Sequence, residues 1–341
     1  MKAAVLVSPE RIEIQEVAKP PVGRNDVLVK LKYCGICTLE QRLFSGTMKI
    51  FYPIIPGHEA SGEVVEVGED VQSDVKPGSL VALDLVFRCG ECYFCRTGQS
   101  NMCLNRFNRG QKVLGGFGEY IAVDSRQVFT IPESISLREA AFAEPVACCI
   151  RSLKKIKLAL AEDLLIIGAG PMGQLHLQVA LCMGARVFVS DPVHERLKLA
   201  GESSAYMTLD PTGVDLSSVI REYTEDRGVD VCIITSPAHE ALKSAIKAIS
   251  KTGRINIYTS YNDPTALPID ANTLHRSEQM ITGSEGRTEH DFLQAVRLLA
   301  FGKVNVKPLI SSLTSFATIE DGIKAAMTRD TYRILLDHEA S

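Results

Sequence analysis

Short hydrophobic runs separated by turn residues characterise the N-terminal part of this 341-residue chain. The runs are either apolar or alternate between apolar and polar positions, and turn signals such as Lys76-Pro77-Gly78 lie between them. This pattern predicts a β-rich region, because alternation places every second side chain on one face of a sheet. The predicted strands are Val27–Leu31, Gly62–Val67, Leu80–Leu85 and Tyr120–Val123.

From Leu164 onwards the pattern changes to apolar runs that alternate with segments of helical periodicity. The run Leu164–Ile167 is apolar at every position, as expected of a strand that is covered on both faces. Alternating strands and helices predict a parallel sheet with helices on both sides. The later elements are strands at Arg186–Ser190, Val229–Ile234 and Arg254–Tyr258, a helix at Phe292–Phe301 and a strand at Tyr332–Leu336.

Helical spacing also predicts which side chains are buried by the helix that follows residues 164–167. Leu175, Val179 and Cys182 form one apolar stripe, so we expect Cys182 in the core. His176 lies beside this stripe, and we expect it at the surface or half-buried.

The composition excludes several classes of function. Its 45% hydrophobic and 23% charged residues are ordinary for a globular protein, and the length suggests about two domains. The net charge is −4, and acidic and basic residues are interspersed along the chain. The sequence therefore shows no basic patch of the kind that binds nucleic acid or an anionic membrane. The sequence has no apolar stretch near the roughly 18 residues of a membrane span, and its start lacks the pattern of a secretory signal. We therefore expect a cytoplasmic protein whose thiols stay reduced.

The sequence GAGPMG lies between a predicted strand and a predicted helix. Gly168 permits a tight turn, Gly170 lets the backbone approach a pyrophosphate, and Gly173 lets the helix close on the strand. Pro171 suits the first helical turn, where its missing N–H costs little. In this context the pattern predicts a dinucleotide site. Its predicted residues in the turn are Gly168, Gly170, Pro171, Met172 and Gly173.

Asp191 ends the next predicted strand. Its carboxylate can accept hydrogen bonds from both ribose hydroxyls of NAD, and it would repel the 2′-phosphate of NADP. Arg196, on the following helix, is expected along the adenosine edge of the cofactor. The alternative role for Asp191 is a helix cap. NAD is the predicted cofactor.

Four cysteines lie in one polar loop, at Cys89, Cys92, Cys95 and Cys103. Four thiolates at this C-x2-C-x2-C-x7-C spacing can surround one Zn²⁺ tetrahedrally. A disulfide framework would need an oxidising compartment, and four core cysteines are not expected in a loop that contains polar residues and glycine. The loop therefore predicts a structural zinc site, in which four anionic ligands leave no position for substrate.

Three further fragments contain metal-binding residue types: Cys37 in YCGIC, His58-Glu59 in PGHE and Glu144 in AEPVA. A thiolate, an imidazole and a carboxylate, with one position left open, form a catalytic rather than a structural zinc site. Each residue alone has a simpler explanation, namely a core cysteine, a loop histidine or a helix cap. Only the combination predicts a metal centre, and spacing alone does not show that the fragments converge.

Taken in order, the motifs of the chain resemble those of the zinc-dependent medium-chain dehydrogenases, nearest to the sorbitol (polyol) and threonine dehydrogenase branches. The resemblance covers essentially the whole chain and rests on PGHEASGEVVEVG, the four-cysteine loop, GGFGEY, AEPVA, GAGPMG with Asp191, and VNVKPLI. It implies an α/β protein with a GroES-like β-rich catalytic domain and an inserted Rossmann domain, a doubly wound parallel sheet. The implied divisions are 1–150 for the catalytic domain with a zinc lobe at 86–105, 151–285 for the NAD-binding domain, and 286–341 for the return to the catalytic domain. Family members are dimers or tetramers, so a homodimer or homotetramer is expected.

The resemblance also implies roles for individual residues. Cys37 and His58 are carried over as ligands of the catalytic zinc, together with Glu59 or Glu144, and which carboxylate binds the metal is left open. Arg333 matches a position whose arginine approaches the cofactor phosphates; the alternative is a surface charge.

At one point the chain departs from the family. Leu39 stands where a serine or threonine usually relays the alcohol proton, and Glu40 stands where an aspartate is usual. Leucine cannot pass a proton. The relay is therefore expected to run through Thr38, Glu40, an ordered water or a substrate hydroxyl.

The function implied is hydride transfer between NAD and a secondary alcohol, with one catalytic and one structural Zn²⁺ per chain. A polyol, sugar alcohol or cyclitol is the favoured small-molecule substrate. Residues 283–287 resemble the threonine dehydrogenase branch, so a threonine-like hydroxy-amino acid is the alternative. A zinc-free reductase that uses NADPH is disfavoured by Cys37, His58 and Asp191, whereas Leu39 leaves room for a non-catalytic relative that binds zinc and NAD.

Overall fold

The computed structural model describes residues 1–48, 51–106, 114–261, 266, 269–328 and 330–340. The chain forms two compact units, one from Met1–Ala147 with Arg287–Ser341 and the other from Cys148–Gly286. Among the described residues, no helix combines the length and the apolar character that crossing a bilayer requires.

The strands of the described residues are β1 (Lys2–Ser8), β2 (Arg11–Glu16), β3 (Asp26–Ile36), β4 (Glu59–Val67), β5 (Leu80–Asp84), β6 (Tyr120–Asp124), β7 (Val128–Thr130), β8 (Asp163–Ile167), β9 (Arg186–Ser190), β10 (Met207–Leu209), β11 (Val229–Ile234), β12 (Ile249–Ile257), β13 (Met280–Gly283), β14 (Ile310–Thr314) and β15 (Arg333–Asp337). The helices are α1 (Thr38–Phe44), α2 (Tyr93–Arg96), α3 (Leu137–Ala140), α4 (Ala143–Lys155), α5 (Pro171–Cys182), α6 (His194–Glu202), α7 (Leu216–Glu222), α8 (His239–Ala248), α9 (Ala271–Arg276), α10 (Glu289–Ala300) and α11 (Ile319–Ala326).

The first unit is built on a mixed sheet with the order β14-β15-β3-β4-β5-β7, and β6 pairs with β3. Alternate side chains of its strands form a core with Phe117 and residues of α1 and α11. The register of this sheet places Gly35 of β3 opposite Glu59 of β4, and Glu59 opposite Asp84 of β5. Because the polar residues come at the strand ends, the sheet brings them to one edge of the core.

The second unit contains a parallel sheet with the order β10-β9-β8-β11-β12-β13. All five residues of β8 are buried, because helices cover both faces of a sheet of this kind. The predicted parallel sheet is confirmed. The strand order is that of doubly wound nucleotide-binding domains, in which ligands bind at the carboxyl ends of the strands where the order reverses.

Candidate metal and cofactor sites

Cys37 lies where β3 ends and α1 begins, and it caps this helix. Its Sγ accepts the backbone N–H of Leu39 at 3.2 Å, while Oε2 of Glu40 accepts the backbone N–H of Cys37 at 3.0 Å. This reciprocal arrangement is a capping box with cysteine in the place of serine. The start of the helix therefore fixes both the thiol and the Glu40 carboxylate.

His58 lies between these two groups. Its Nε2 is 3.6 Å from Sγ of Cys37, and its Nδ1 is 2.9 Å from Oε1 of Glu40, which also accepts the backbone N–H of Gly57 at 3.2 Å. A carboxylate behind a histidine ring fixes the tautomer with the proton on Nδ1, so that the Nε2 lone pair can bind a metal. Glu40 is therefore placed to orient His58.

The candidate relay residues differ in their surroundings. Glu40 is buried, and both of its oxygens accept hydrogen bonds within the site. Leu39 packs against the core, whereas the Thr38 side chain is exposed. Transfer of the alcohol proton through Thr38 or Glu40 stays a prediction.

Glu59 supplies the third donor, since the ligand atoms of Cys37, His58 and Glu59 all lie within 4.8 Å of one another. Gly35 leaves space for this carboxylate, because a Cβ at Gly35 would overlap Oε2 of Glu59. Nη2 of Arg333 lies 3.1 Å from Oε1 of Glu59, and Arg333 is buried. The alternative of a surface charge for Arg333 is therefore wrong, while its contact with cofactor phosphates stays a prediction.

Glu144 lies in the first turn of α4, with Oε1 at 4.0 Å from Nε2 of His58. The same oxygen forms an ion pair with Nη1 of Arg287, which also contacts Asp84. The geometry groups Glu59 with the other donors and places Glu144 beside them, so we propose Glu59 as the carboxylate ligand. Sequence reasoning named neither Asp84 nor the pairing of Glu144 with Arg287, because no local pattern connects these positions.

The chemistry of this site fits Zn²⁺. Burial raises the pKa of the Cys37 thiol to about 12 and that of the Glu59 carboxyl to about 7, so the residues by themselves disfavour the charged forms. A divalent cation favours those forms and deprotonates a coordinating thiol. Sulfur, imidazole nitrogen and carboxylate oxygen are also the donor types that bind zinc, and three protein ligands leave one position open.

The four-cysteine loop brings its sulfurs together as well, since all four lie within 4.8 Å of one another. Sγ of Cys89 is 3.5 Å from Sγ of Cys103 and 4.0 Å from Sγ of Cys95. Tetrahedral zinc with bonds of about 2.3 Å places sulfurs about 3.8 Å apart, whereas a disulfide needs about 2.05 Å. Hydrogen bonds from the backbone N–H groups of Cys92 and Glu91 lower the pKa of Cys89 to about 6, whereas burial raises the pKa of Cys95 to about 12. A coordinating cation would hold all four as thiolates.

In the second unit, the glycine turn joins β8 to α5. Gly168 has a φ of +107°, a backbone conformation that side chains rarely adopt, and Gly170 is the N-cap of α5. Pro171 and Met172 open the helix, and a Cβ at Gly173 would overlap the carbonyl oxygen of Gly168. The turn thus presents backbone N–H groups at a helix N-terminus, where a pyrophosphate would bind.

Asp191 is buried at the carboxyl end of β9 and ties the turn to the next loop. Its Oδ2 accepts the N–H of Ala169 at 2.7 Å, and its Oδ1 accepts the N–H of Val193 at 2.8 Å. Nη1 of Arg196 lies 3.8 Å from Oδ2. Each carboxylate oxygen has two lone pairs, so these bonds leave capacity for ribose hydroxyls. Recognition of ribose by Asp191 and Arg196 stays a prediction.

Two expectations about α5 are wrong. Cys182 is exposed, because it is the last residue of the helix. His176 is fully buried, because α5 is covered on more than the predicted stripe. Its Nδ1 lies 2.7 Å from the carbonyl oxygen of Met172, and its ring packs edge-on against Tyr258.

This buried histidine predicts a pH-dependent contribution to stability. Burial lowers the pKa of His176 to about 4. In the unfolded chain the pKa is about 6.5, so protons bind the unfolded state first and stability is lost as the pH falls from about 6.5 towards 4. Between pH 7 and pH 5 this residue is expected to remove about 2 kcal/mol from the free energy of unfolding.

Urea denaturation at the two pH values measures the effect. The variant His176→Asn, whose amide can replace the Nδ1 donor, should lose less stability than the wild type over this interval. The exposed His290 provides the control His290→Asn, which should keep the wild-type pH dependence. An equal loss in His176→Asn and the wild type would contradict the assignment.

Comparisons with known proteins agree with the fold and with the prediction that the protein binds zinc. The chain matches the alcohol dehydrogenase GroES-like domain over residues 23–133 and the zinc-binding dehydrogenase family over residues 171–300. D-arabitol-phosphate dehydrogenase of Enterococcus avium is 30% identical over 94% of this chain and 92% of its own. L-threonine 3-dehydrogenase of Pyrococcus horikoshii is 33% identical over 88% of this chain and 87% of its own.

Among solved structures, a Sinorhizobium meliloti protein described as a zinc-binding dehydrogenase and bound to NADP has a TM-score of 0.92. It is 29% identical, and the match covers 99% of both chains. The predicted fold class, a GroES-like domain with an inserted Rossmann domain, is thereby confirmed. From the two family matches and relatives of similar length, it follows that this chain belongs to the zinc-dependent medium-chain dehydrogenase family.

Proposed function

We propose that this protein is an NAD-dependent zinc dehydrogenase that interconverts a secondary alcohol and a ketone, with a polyol, sugar alcohol or cyclitol as substrate. The observation that carries the proposal is the convergence of Cys37, His58 and Glu59 within 4.8 Å. Cys37 comes from the start of α1 and the adjacent pair His58-Glu59 from the start of β4, and a set of donors with one open position is typical of catalytic rather than structural zinc. The four-cysteine loop would hold a second, structural zinc.

The protein residues have distinct roles in this chemistry. Zinc, when bound, supplies Lewis acidity towards the substrate oxygen, and NAD accepts the hydride. Glu40 keeps the proton of His58 on Nδ1 through the contact of 2.9 Å. Arg333 partly offsets the charge of Glu59, and a bound metal ion would supply the rest of the stabilisation that keeps this buried acid ionised as a ligand. In alcohol oxidation the carbon gives up a hydride and the oxygen a proton, and we propose the exposed hydroxyl of Thr38 for its release.

The surroundings of Arg287 favour a neutral substrate. Arg287 is buried, and its guanidinium contacts the carboxylates of Asp84 and Glu144. Its charge is therefore already compensated within the first unit, and receiving the carboxylate of an amino acid would require breaking buried ion pairs. The likeness of residues 283–287 to the threonine branch, and the 33% identity to a threonine dehydrogenase, keep threonine as the second candidate.

A substrate panel tests this order. Reduction of NAD is measured with sorbitol, galactitol, myo-inositol, D-arabitol 1-phosphate and L-threonine. We expect the highest kcat/KM with a neutral polyol, at least about tenfold above threonine, because each 1.4 kcal/mol of transition-state binding is a factor of ten. A rate with threonine alone would make threonine the first candidate. A preference for D-arabitol 1-phosphate would show that neutralisation of the Arg287 charge does not decide specificity.

The choice of NAD rests on Asp191, which would lie against the 2′-phosphate of NADP. Two like charges about 4 Å apart at an effective dielectric constant near 20 repel by about 4 kcal/mol. We expect Asp191→Ser to lower the ratio of kcat/KM for NAD to that for NADP by about a hundredfold or more. The exposed acid Asp226 gives the control Asp226→Asn, which should keep the wild-type ratio. An unchanged ratio in Asp191→Ser would remove this residue from cofactor selection.

We further propose that the protein acts in the cytoplasm as a homodimer or homotetramer. The two donor sets contain five cysteines that need to be reduced to bind zinc, which suits a reducing compartment. The oligomer is supported by the family resemblance. Light scattering of the zinc-loaded protein measures its mass against the 37.2 kDa of one chain, and a mass of one chain would contradict an oligomer.

A further inference from the structure

Beside the metal-binding residues lies a buried network of ion pairs centred on Asp84. Asp84 is the last residue of β5 and is 0% exposed, while Arg88 and Arg287 are 7% and 4% exposed. Oδ2 of Asp84 accepts from Nη1 of Arg88 at 2.7 Å, and Oδ1 accepts from Nε of Arg287 at 3.0 Å. One carboxylate therefore holds two arginines, one on each oxygen.

The network reaches the candidate zinc site through Arg287. Its Nη1 pairs with Oε1 of Glu144, and that oxygen lies 4.0 Å from Nε2 of His58. The backbone of residue 287 is held as well, because Nη2 of Arg88 donates to the Arg287 carbonyl oxygen at 2.8 Å. The position of the Glu144 carboxylate thus depends on an arginine that is held at both its side chain and its backbone.

Charge explains why Asp84 matters to this arrangement. The guanidinium groups of Arg88 and Arg287 both contact Asp84, and they would repel each other in a buried setting without its negative charge. Loss of that charge would leave Glu144 as the acidic partner of Arg287 and remove the contact that fixes the guanidinium, so the paired side chains of Arg287 and Glu144 would no longer be held in place. The sheet fixes the backbone of Asp84, because this residue of β5 lies opposite Glu59 of β4 in the antiparallel register.

We propose that Asp84 is a positioning residue of the metal site, which fixes Arg287 and through it holds the Glu144 carboxylate beside the metal ligands. The inference deepens the proposed function, because it concerns the same site. The Glu144 carboxylate, with Oε1 at 4.0 Å from Nε2 of His58, is an outer partner of the metal ligands, and loss of such a partner typically changes metal affinity or activity by about 10- to 100-fold. The alternative is that Asp84 only stabilises the fold around the return of the chain at residue 287.

A double-mutant cycle on metal binding separates these two roles. The full-length protein with its four-cysteine loop loaded is titrated with Co²⁺ at the other site, and the thiolate-to-cobalt absorbance gives the dissociation constant. We expect Asp84→Asn to weaken Co²⁺ binding by at least about tenfold in the wild type but by less than about twofold in a Glu144→Gln background. Equal weakening in both backgrounds, or no weakening in the wild type, would overturn the proposal.

A second variant tests the proposal if Asp84→Asn does not fold, and a control variant tests for nonspecific effects. Arg287→Lys keeps the charge but loses the planar fork that bridges two carboxylates, so it should reproduce the weaker Co²⁺ binding, again only when Glu144 is present. If Asp84→Asn does not fold, this second cycle decides the question by the same criterion. Glu289→Gln is the matched control, because it neutralises the acid 3.6 Å from Nε of Arg88 without touching Asp84 or Arg287. The amide oxygen can still accept the hydrogen bond of Ser100, so this variant should bind Co²⁺ like the wild type.

The measurement does not require turnover. A protein that oxidises none of the panel alcohols but shows the coupling between Asp84 and Glu144 would refute the proposed function and support the positioning role. A protein that oxidises polyols but shows no coupling would support the proposed function and refute the positioning role. The two hypotheses therefore fail separately.

Discussion

Replacing Cys37 by serine, or His58 by alanine, is expected to lower kcat/KM for polyol oxidation by at least about a thousandfold. The physical reason is that each variant removes one of three ligand atoms that lie within 4.8 Å of one another. Lewis-acid stabilisation by a metal is worth several kcal/mol of barrier, and each 1.4 kcal/mol is a factor of ten. NAD binding should persist, because the glycine turn belongs to the other unit.

The fluorescence of NADH measures this second expectation, and the lack of tryptophan in the chain keeps the background low. Cys34→Ala is the matched control for Cys37→Ser. Cys34 is a buried thiol of β3 whose Sγ lies 3.7 Å from the carbonyl oxygen of Gly35 and is hydrogen-bonded by the backbone of Glu59. Its side chain is not one of the three converging donors, so most activity should remain. Wild-type turnover in either ligand variant would remove zinc from the mechanism.

Replacing Cys92 or Cys95 by serine is expected to reduce bound zinc from about two ions per chain to about one. The loop contains few apolar side chains in the core, and Tyr93 and Leu104 are mostly exposed, so its order depends on the metal. Structural zinc contributes directly to folding energy, and we expect the melting temperature to fall by about 5 °C or more. Metal analysis and thermal denaturation measure the two effects.

The control for this experiment is Cys182→Ser, which removes an exposed cysteine that lies outside the loop. It should retain about two zinc ions and the wild-type melting temperature. Limited proteolysis adds a local measurement, because a loop without its metal should be cleaved faster than the rest of the protein. Retention of two zinc ions by the Cys92 and Cys95 variants would show that the loop is not a metal site.

Much of the fold could be predicted because its signals are local. The strands at 186–190 and 229–234 have the predicted bounds, and the glycine turn lies between β8 and α5 as its spacing indicates. All four ligands of the four-cysteine loop are close together in the chain, so this donor set was also recognisable from its spacing. By contrast, β12 begins at Ile249, five residues earlier than predicted, because pairing with neighbouring strands decides where a strand starts.

The contacts of the arginines and of α5 could not be predicted in this way. For Arg333 the alternative of a surface charge is wrong, because the residue is buried against Glu59, while its contact with the cofactor stays a prediction. His176 was expected near the surface, yet it is buried, and Cys182 shows the opposite error. Periodicity reports one face of a helix, whereas burial depends on everything that packs around the helix.

Residue types and their local spacing indicate the candidate ligands of zinc and of a dinucleotide, since thiols, imidazole, carboxylates and glycines in these patterns limit the chemistry. The convergence of the donor atoms of Cys37, His58 and Glu59, and the pairing of Glu144 and Asp84 with Arg287, are visible only in the folded chain. The reason is that strand register and the return of the chain at residue 287 bring these groups together. Contacts between residues so far apart in the chain arise from packing of the whole unit, which leaves no trace in any short stretch of sequence.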